Sequence, residues 1–402
     1  MVLALAACTG YQGHVYQRLP DNTIGPTITG AALTFIKEDG SVTETALSDA
    51  DGFYQVDLNA GRYRVTATHL DYEDYSSAPG FFVVTSSNGY QTGNFFLREP
   101  RVSTVLLVRH ADRDGTNDAL LDPQGTERAA KLVEVAAKAG VSAIYSTNFN
   151  RTQATAQPLA TALGLDVIPY TTPQVVANMI DNDHPGDAVL VVGHSNTTTS
   201  IVEAVLGQDF YPNNPYTNDY DNLFVIGKPV DGGPGSVLNL QYGADTIPDT
   251  PDLSRAQMTA VMLLRHAETG GGDLSAAGQA RAGELVHLAQ KAGVSAIYAP
   301  ASAADQATVQ PLANALAGQG ITAYDTANLA GLVSEIHQDH AGETVLVVGD
   351  NTTLKEFIKQ FGGSPYPAIF TQEYDHLVVM FALGGADGNA RLISLQYGAA
   401  SP

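Results

Sequence analysis

The chain repeats itself, and that constrains its fold more than any other feature. Val105-Leu106-Leu107-Val108-Arg109-His110-Ala111 recurs as Val261-Met262-Leu263-Leu264-Arg265-His266-Ala267, and Lys138 to Tyr145 (KAGVSAIY) returns letter for letter as Lys291 to Tyr298. Val189 to Gly193 (VLVVG) comes back as Val345 to Gly349, and Leu240 to Ala244 (LQYGA) as Leu395 to Ala399, in the same order and at nearly the same spacing. Internal duplication explains four ordered matches far better than chance, so the first copy's architecture is expected twice. The polar, Pro-containing stretch from Asp245 to Thr259 is the expected boundary.

Within a copy, apolar strands alternate with amphipathic helices. Thr104 to Val108 is a continuous apolar run, the pattern of a central parallel strand covered on both faces. Asp122-Pro123 reads as an N-cap and first helical residue, and Leu132, Val133, Ala136 and Ala137 form one apolar stripe ending at Gly140. Strands follow at Ala143 to Tyr145 and Ala188 to Val192, which predicts a doubly wound α/β domain.

Upstream the grammar differs. Short alternating segments at Ala31 to Ile36, Gly52 to Leu58, Arg62 to Thr68, Phe81 to Val84 and Asn94 to Leu97 predict a small all-β sandwich. Asp49 and Asp51 lack the remaining ligands of a calcium loop and read as a hairpin turn. The fold class is therefore multidomain: an N-terminal all-β sandwich (11–98), then two α/β doubly wound domains (102–244 and 258–400).

With 42 Asp and Glu against 20 Lys and Arg, the formal charge is -22, which repels nucleic acid and anionic lipid in bulk. One cysteine excludes an internal disulfide, and no CxxC pair or HExxH helix offers a metal-ligand set, so no metal or cofactor is expected. That cysteine closes the apolar run Leu5-Ala6-Ala7-Cys8. The run resembles a bacterial lipoprotein signal, which makes Cys8 a lipidation candidate and residues 1–10 a truncated leader; the other reading is a chance cysteine in a disordered tail.

In open α/β sheets, ligands gather beyond the carboxyl ends of the strands. Arg109-His110 ends the first strand, Asn150-Arg151-Thr152 lies beyond the second, and His194 follows Gly193 at the end of another. Two arginines and two histidines at converging strand ends form a local cationic pocket suited to a phosphoryl group.

These residues resemble the histidine phosphatase, or phosphoglycerate mutase-like, superfamily over roughly 103–243, with a weaker second pass over 259–398. Arg109-His110-Ala111 matches the family's Arg-His signature, Arg151 its second arginine, and His194-Ser195-Asn196 its later histidine segment. The N-terminal block is similar to carboxypeptidase regulatory-like, transthyretin-type domains. The resemblance implies a phosphatase in which His110 forms a phosphohistidine intermediate while Arg109, Arg151 and His194, with Asn196, bind the phosphoryl oxygens. His110 is then neutral, its second nitrogen fixed by a backbone carbonyl, and no divalent metal is needed. Asp112 is the first candidate for general acid and Asp219 and Asp221 are the reserves, with a solvated loop as the alternative for all three.

In the second copy Arg265 and His266 persist, but alignment puts Ala304 at the place of Arg151 and Asp350 at that of His194. A catalytically dead second site is expected. The leading reading is an exported, envelope-associated or extracellular phosphohydrolase acting on small phosphate esters, phosphohistidine or phosphoprotein. The alternative is a self-assembling surface or filament subunit that keeps the phosphatase fold for shape. A third makes the sandwich a glycan- or protein-binding module, with Tyr72 and Tyr75 as the first contacts to test.

Overall fold

The computed structural model describes residues 9–18, 24–40, 43–69, 72–76, 82–85, 89–97, 102–115, 118, 120–211, 219–246, 253–361, 373–382 and 390–400. Cys8 and most of the Tyr211 to Tyr220 loop lie outside them, as do the side chains of Tyr72 and Tyr75. The chain divides into two compact units, Met1–Pro100 and Arg101–Pro402. No helix among the described residues is long and apolar enough to cross a membrane.

The first unit is built from β1 (Thr9–Arg18), β2 (Ile24–Thr27), β3 (Ala32–Lys37), β4 (Thr43–Leu47), β5 (Phe53–Asp57), β6 (Gly61–His69), β7 (Tyr72–Ser76), β8 (Phe82–Val84), β9 (Gly89–Thr92) and β10 (Phe95–Leu97). One sheet is organised around β1, which pairs with β2, β5, β9 and β10; the other runs β4-β3-β6-β7, with β8 on β6. Val15, Tyr54, Val56 and Phe95 from the first sheet share one core with Leu33, Phe35, Tyr63 and Val65 from the second, so the unit is a β-sandwich. Asp49 Oδ1 accepts the N–H groups of Asp51 (3.0 Å) and Phe53 (2.9 Å), and Gly52 at φ +73° completes the turn. The sandwich is larger than the sequence pattern suggests: β1, β2, β4, β7 and β9 are additional strands. The central strand β1 is masked by Gly10, Gly13 and two glutamines, and its glycines admit a close approach, since a Cβ at Gly13 would lie 1.9 Å from the Gly93 carbonyl oxygen.

The second unit holds two sheets. The first half runs β11 (Val102–Arg109), α1 (Pro123–Ala136), β12 (Val141–Ser146), α2 (Asn150–Leu163), β13 (Val167–Pro169), α3 (Pro173–Asp183), β14 (Ala188–Gly193), α4 (Thr198–Leu206), β15 (Asn222–Pro229) and β16 (Ser236–Gln241). The second half runs β17 (Thr259–Arg265), the short hairpin β18 (Thr269–Gly270) and β19 (Asp273–Leu274), α5 (Ala276–Ala289), β20 (Val294–Pro300), α6 (Ala303–Ala315), β21 (Ile321–Tyr324), α7 (Leu329–Asp339), β22 (Thr344–Gly349), α8 (Asn351–Gln360), β23 (His376–Ala382) and β24 (Ala390–Gln396). Their strand orders correspond one to one, β13-β12-β14-β11-β15-β16 and β21-β20-β22-β17-β23-β24, each with four mutually parallel strands followed by two joined through antiparallel pairing, of which β15 and β23 run against the rest. The apolar faces under α1 and α2 and under α5 and α6 merge into one core, from Leu106, Leu132 and Leu240 to Leu264, Leu285 and Leu395. Burial on this scale, at about 25 cal/mol per Å² of apolar surface, holds the halves together as one body.

Parallel pairing aligns the strand ends that matter. Arg109 of β11 stands opposite Gly193 of β14, and Ser146 of β12 opposite Val192, so residues that leave these strands emerge side by side.

Candidate active site

Local hydrogen bonds fix the loop after β11. The His110 N–H donates to the Gly193 carbonyl (2.9 Å), and the Ala111 N–H donates to Thr155 Oγ1 on α2 (2.8 Å). Thr155 Oγ1 in turn donates to the Arg151 carbonyl one turn earlier (2.8 Å), so the nucleophile candidate and the arginine helix are tied by one hydroxyl.

His110 is buried at 3% exposure, and its Nδ1 lies 2.9 Å from the Ala111 carbonyl oxygen. A carbonyl only accepts, so Nδ1 carries the proton and Nε2 keeps its lone pair. Burial pushes the imidazole down to about 3, and Arg109, Arg151 and His194 add to the depression against the opposing Ala111 hydrogen bond. His110 is thus a neutral, oriented imidazole at physiological pH with a free lone pair on Nε2. The carbonyl anticipated from the sequence is that of Ala111.

His194 is neutral as well. Arg151 Nη2, a donor only, lies 3.2 Å from His194 Nδ1, and His194 Nε2 meets Thr147 Oγ1 at 2.9 Å. Burial, then Arg151, Arg109 and Arg113, hold it down to about 4. The neutrality anticipated for His110 extends to His194, so the positive charge of the pocket does not come from its imidazoles. The imidazoles carry no charge, and both His194 nitrogens are engaged, so in this state His194 orients Arg151 rather than donating to a phosphoryl oxygen. The third positive charge comes from Arg113, which acts electrostatically on Arg109, Arg151 and His194.

Aromatic rings back the guanidiniums. Arg109 Cζ sits 3.9 Å from the Tyr220 ring centroid, and Arg151 Cζ sits 4.4 Å from that of Phe149. Tyr220 also lies 5.7 Å from the His110 ring, and His110 5.5 Å from His194, centroid to centroid. At the rim Asp118 accepts from the Asn150 backbone N–H (2.9 Å) and stands 3.7 Å from Arg151 Nη1. Arg113, Asp118 and Phe149 were not singled out from the sequence, although Arg113 lay within reach of such reading, three residues beyond His110. Tyr220 closes the Tyr-rich stretch Tyr211 to Tyr220, which reads from the sequence as a loop over the site mouth, with surface packing as the alternative.

Asp112 is held in a buried ion pair. Its Oδ2 accepts from Arg128 Nε at 2.6 Å with both side chains buried, and Arg128 also donates to the carbonyls of Tyr242 (3.0 Å) and Ala244 (2.9 Å). The second half builds the same clamp from Glu268 and Arg281, with Arg281 donating to the Tyr397 carbonyl at 3.0 Å. A clamp present beside both pockets joins loop, helix and sheet. Asp219 pairs with Lys291, and Asp221 accepts from Gln241 Nε2 (3.2 Å) and the Thr246 N–H (3.2 Å); both are fully buried rather than solvated. Asn196 is exposed on the turn leading into α4.

The second pocket is built on the same frame. The His266 N–H donates to the Gly349 carbonyl (3.2 Å), the Ala267 N–H to Thr308 Oγ1 (2.9 Å), and His266 Nδ1 lies 3.0 Å from the Ala267 carbonyl. Counting from these anchors, Ala304 replaces Arg151 and Asp350 replaces His194, as alignment anticipated. Two further replacements emerge: Thr269, paired with Leu274, stands where Arg113 bridges Leu121, and Asp305 stands where Thr152 is. Asp350 caps α8 through the Thr353 N–H (2.7 Å), an interaction that outweighs burial and lowers its carboxyl, whereas burial raises that of Asp305. Of the positive groups, Arg265 remains over Tyr374 at 4.0 Å.

Two further histidines close helices. His184 and His340 end α3 and α7 and meet Asp187 (3.0 Å) and Glu343 (2.8 Å). Glu373, Asp375 and His376 are spaced to share a metal ion, but the Lys138 ammonium stands 3.2 Å from Glu373 and 3.3 Å from His376 and meets them as a cation.

Residues 105–172 match the family model of the histidine phosphatase superfamily (branch 1). Arg109, His110, Arg113 and Arg151 fall inside the match, and His194 and the whole second half lie beyond it. Among solved structures the chain is similar to native mycobacterial glucosyl-3-phosphoglycerate phosphatase (14% identity, 34% of this chain and 97% of that one, TM-score 0.28). It is similar also to a phosphohistidine phosphatase candidate of Agrobacterium tumefaciens (22% identity, 32% and 92% covered, TM-score 0.26). A third is the phosphoserine phosphatase of Entamoeba histolytica in complex with 3-phosphoglyceric acid (13% identity, 36% and 98% covered, TM-score 0.27). No curated protein matches the chain.

Proposed function

We propose that the chain is a phosphohydrolase whose first α/β half (102–244) turns over phosphate esters or phosphoramidates through a histidine nucleophile. One observation carries the reading: His110 presents a hydrogen-free Nε2 within a pocket where the charges of Arg109 and Arg151 act on it. Nε2 attacks phosphorus, and the bond to the leaving group breaks with its electron pair, giving a phosphohistidine and a leaving group that takes its proton from water. Water then attacks phosphorus and the P–N bond breaks. Inorganic phosphate and the neutral imidazole are regenerated. The guanidiniums stabilise charge on the equatorial oxygens, each charge-assisted hydrogen bond contributing about 1.5 to 3 kcal/mol.

Asp112, Asp219 and Asp221 are committed to internal partners, so we assign none of them to protonating the leaving group. Substrates with good leaving groups, aryl phosphates and phosphoramidates including phosphohistidine, follow as the favoured class.

The two halves are read as duplicated phosphoglycerate mutase-like domains, the second (258–400) without turnover. Supporting this are the matching strand orders and the replacement of Arg113, Arg151 and His194 by Thr269, Ala304 and Asp350. The sandwich (11–98) is read as a carboxypeptidase regulatory-like module. An envelope location through a lipid on Cys8 rests on the Leu5-Ala6-Ala7-Cys8 motif. The test is turnover of an aryl phosphate and of a phosphohistidine peptide by the full chain beside its His110→Ala variant. Loss of turnover in the variant supports the enzyme, and equal rates favour the structural-subunit reading.

A further inference from the structure

Each half sends a lysine into the other. Lys291, just after α5, places its Nζ 3.4 Å from Asp219 Oδ2, with side-chain exposures of 8% and 0%. Asp219 directly precedes Tyr220, the ring beneath Arg109 and beside His110. Its counterpart Lys138 lies 3.2 Å from Glu373, which directly precedes Tyr374, the residue next in sequence and the ring beneath Arg265. The two reaches are mates by sequence and by fold, but they differ in burial: Lys138 and Glu373 are 42% and 36% exposed. The sealed pair leads to the pocket that kept its cations.

We infer that Lys291 is a positioning residue for the first pocket, supplied by the second half, and that it lets Tyr220 and Arg109 be backed by a buried carboxylate without that carboxylate repelling the phosphoryl group. The inference rests on the phosphohydrolase reading above. Its physical basis is the cost of a buried charge that loses its counter-ion. Asp219 has no exposure to water, so loss of the ammonium leaves its charge less compensated in a low-dielectric medium beside the pocket, weakening anion binding, and removes one tie on the segment carrying Tyr220, whose N–H also donates to Thr246 Oγ1 (3.1 Å). This also gives the second half a role that needs no turnover of its own.

The test uses the full chain and its Lys291→Gln, Lys291→Arg, Lys291→Gln/Asp219→Asn and Lys138→Gln variants. The readouts are the dissociation constant of inorganic phosphate by calorimetry, kcat and KM on an aryl phosphate, and the thermal midpoint. Loss of one charge-assisted contact predicts about tenfold weaker phosphate binding and lower kcat/KM in Lys291→Gln. Lys291→Arg restores both, the double variant recovers most of the phosphate affinity because the carboxylate that lost its counter-ion is gone, and Lys138→Gln matches the wild type. Lys291→Gln keeping phosphate affinity and kcat/KM within twofold of the wild type overturns the inference, as does a double variant no better than the single one. If Lys291→Gln does not fold, the double variant and Lys291→Arg carry the comparison: wild-type phosphate binding in both supports it, and tenfold loss in both overturns it. A wild type no faster than His110→Ala instead removes the phosphohydrolase reading, a separate outcome.

Discussion

Gly227 and Phe381 occupy the same position in the two sheets of the second unit, opposite Thr104 and Ala260, and they meet across the contact between the halves. A Cβ built on Gly227 would lie 2.4 Å from Phe381 Cγ, so one half supplies the ring and the other the vacancy that receives it. Two phenylalanines at this place would collide and two glycines would leave a void. Gly227→Val is expected to lower stability by about 1 to 3 kcal/mol through overpacking, and Phe381→Ala by about 3 to 5 kcal/mol through the cavity. The exchange Gly227→Phe/Phe381→Gly should lose less than the sum of its single variants. Urea unfolding of the four proteins measures this, and additive losses would show that the residues do not form one packing unit.

Asp112 and Arg128 are expected to behave as a structural pair. Asp112→Asn leaves a buried guanidinium without its carboxylate, a loss of about 3 to 5 kcal/mol. The ratio of kcat between an aryl phosphate with a good leaving group and one with a poor leaving group should stay at its wild-type value. A selective collapse on the poor leaving group would return Asp112 to the role of general acid.

The buried imidazoles make stability depend on acid. His110 and His194 are held at about 3 and about 4 in the fold, against an ordinary 6.5 in an unfolded chain. Between those values the unfolded chain binds more protons, so the stabilisation is complete above pH 6.5 and is lost as the pH falls towards the folded values. Each pH unit for which one imidazole stays neutral in the fold and charged outside it costs about 1.4 kcal/mol. Denaturant unfolding at pH 7 and pH 4.5 should show a smaller acid loss in His110→Gln than in the wild type. An identical loss would mean that His110 titrates normally.

Copying the second pocket into the first tests whether its composition is enough to silence it. Arg151→Ala/His194→Asp removes a guanidinium and the imidazole that orients it and adds a repulsive carboxylate; with a charge-assisted contact contributing about 1.5 to 3 kcal/mol, the loss is roughly tenfold or more in kcat/KM. Near-full turnover would undo the argument that the second half is inactive.

Much of this was legible because strand ends carry the chemistry. The runs at Val105 to Val108 and Val189 to Gly193 announce buried parallel strands, and the residues after them land where such sheets bind ligands. The repeated segments announced the second sheet in the same way. What escaped was set by tertiary contacts: Asp112 reads as a site acid until Arg128, a helix away, claims it, and Lys291 meets Asp219 from the other half of the second unit. The charge state of His194 escaped too, because a sequence shows an imidazole but not the burial that keeps it neutral. In the sandwich, β1 combines glycines and glutamines with its buried residues and hides its central place.

The central claim is that phosphorus is transferred to His110 and not to His266. Mixing the full chain with excess aryl phosphate, quenching in alkali within one turnover and mapping the peptides by mass spectrometry reads this directly. The account predicts one phosphoryl group on the peptide that contains His110, absent from the His110→Ala variant, and none on the peptide that contains His266. Label on the His266 peptide, or turnover with neither peptide labelled, would contradict it.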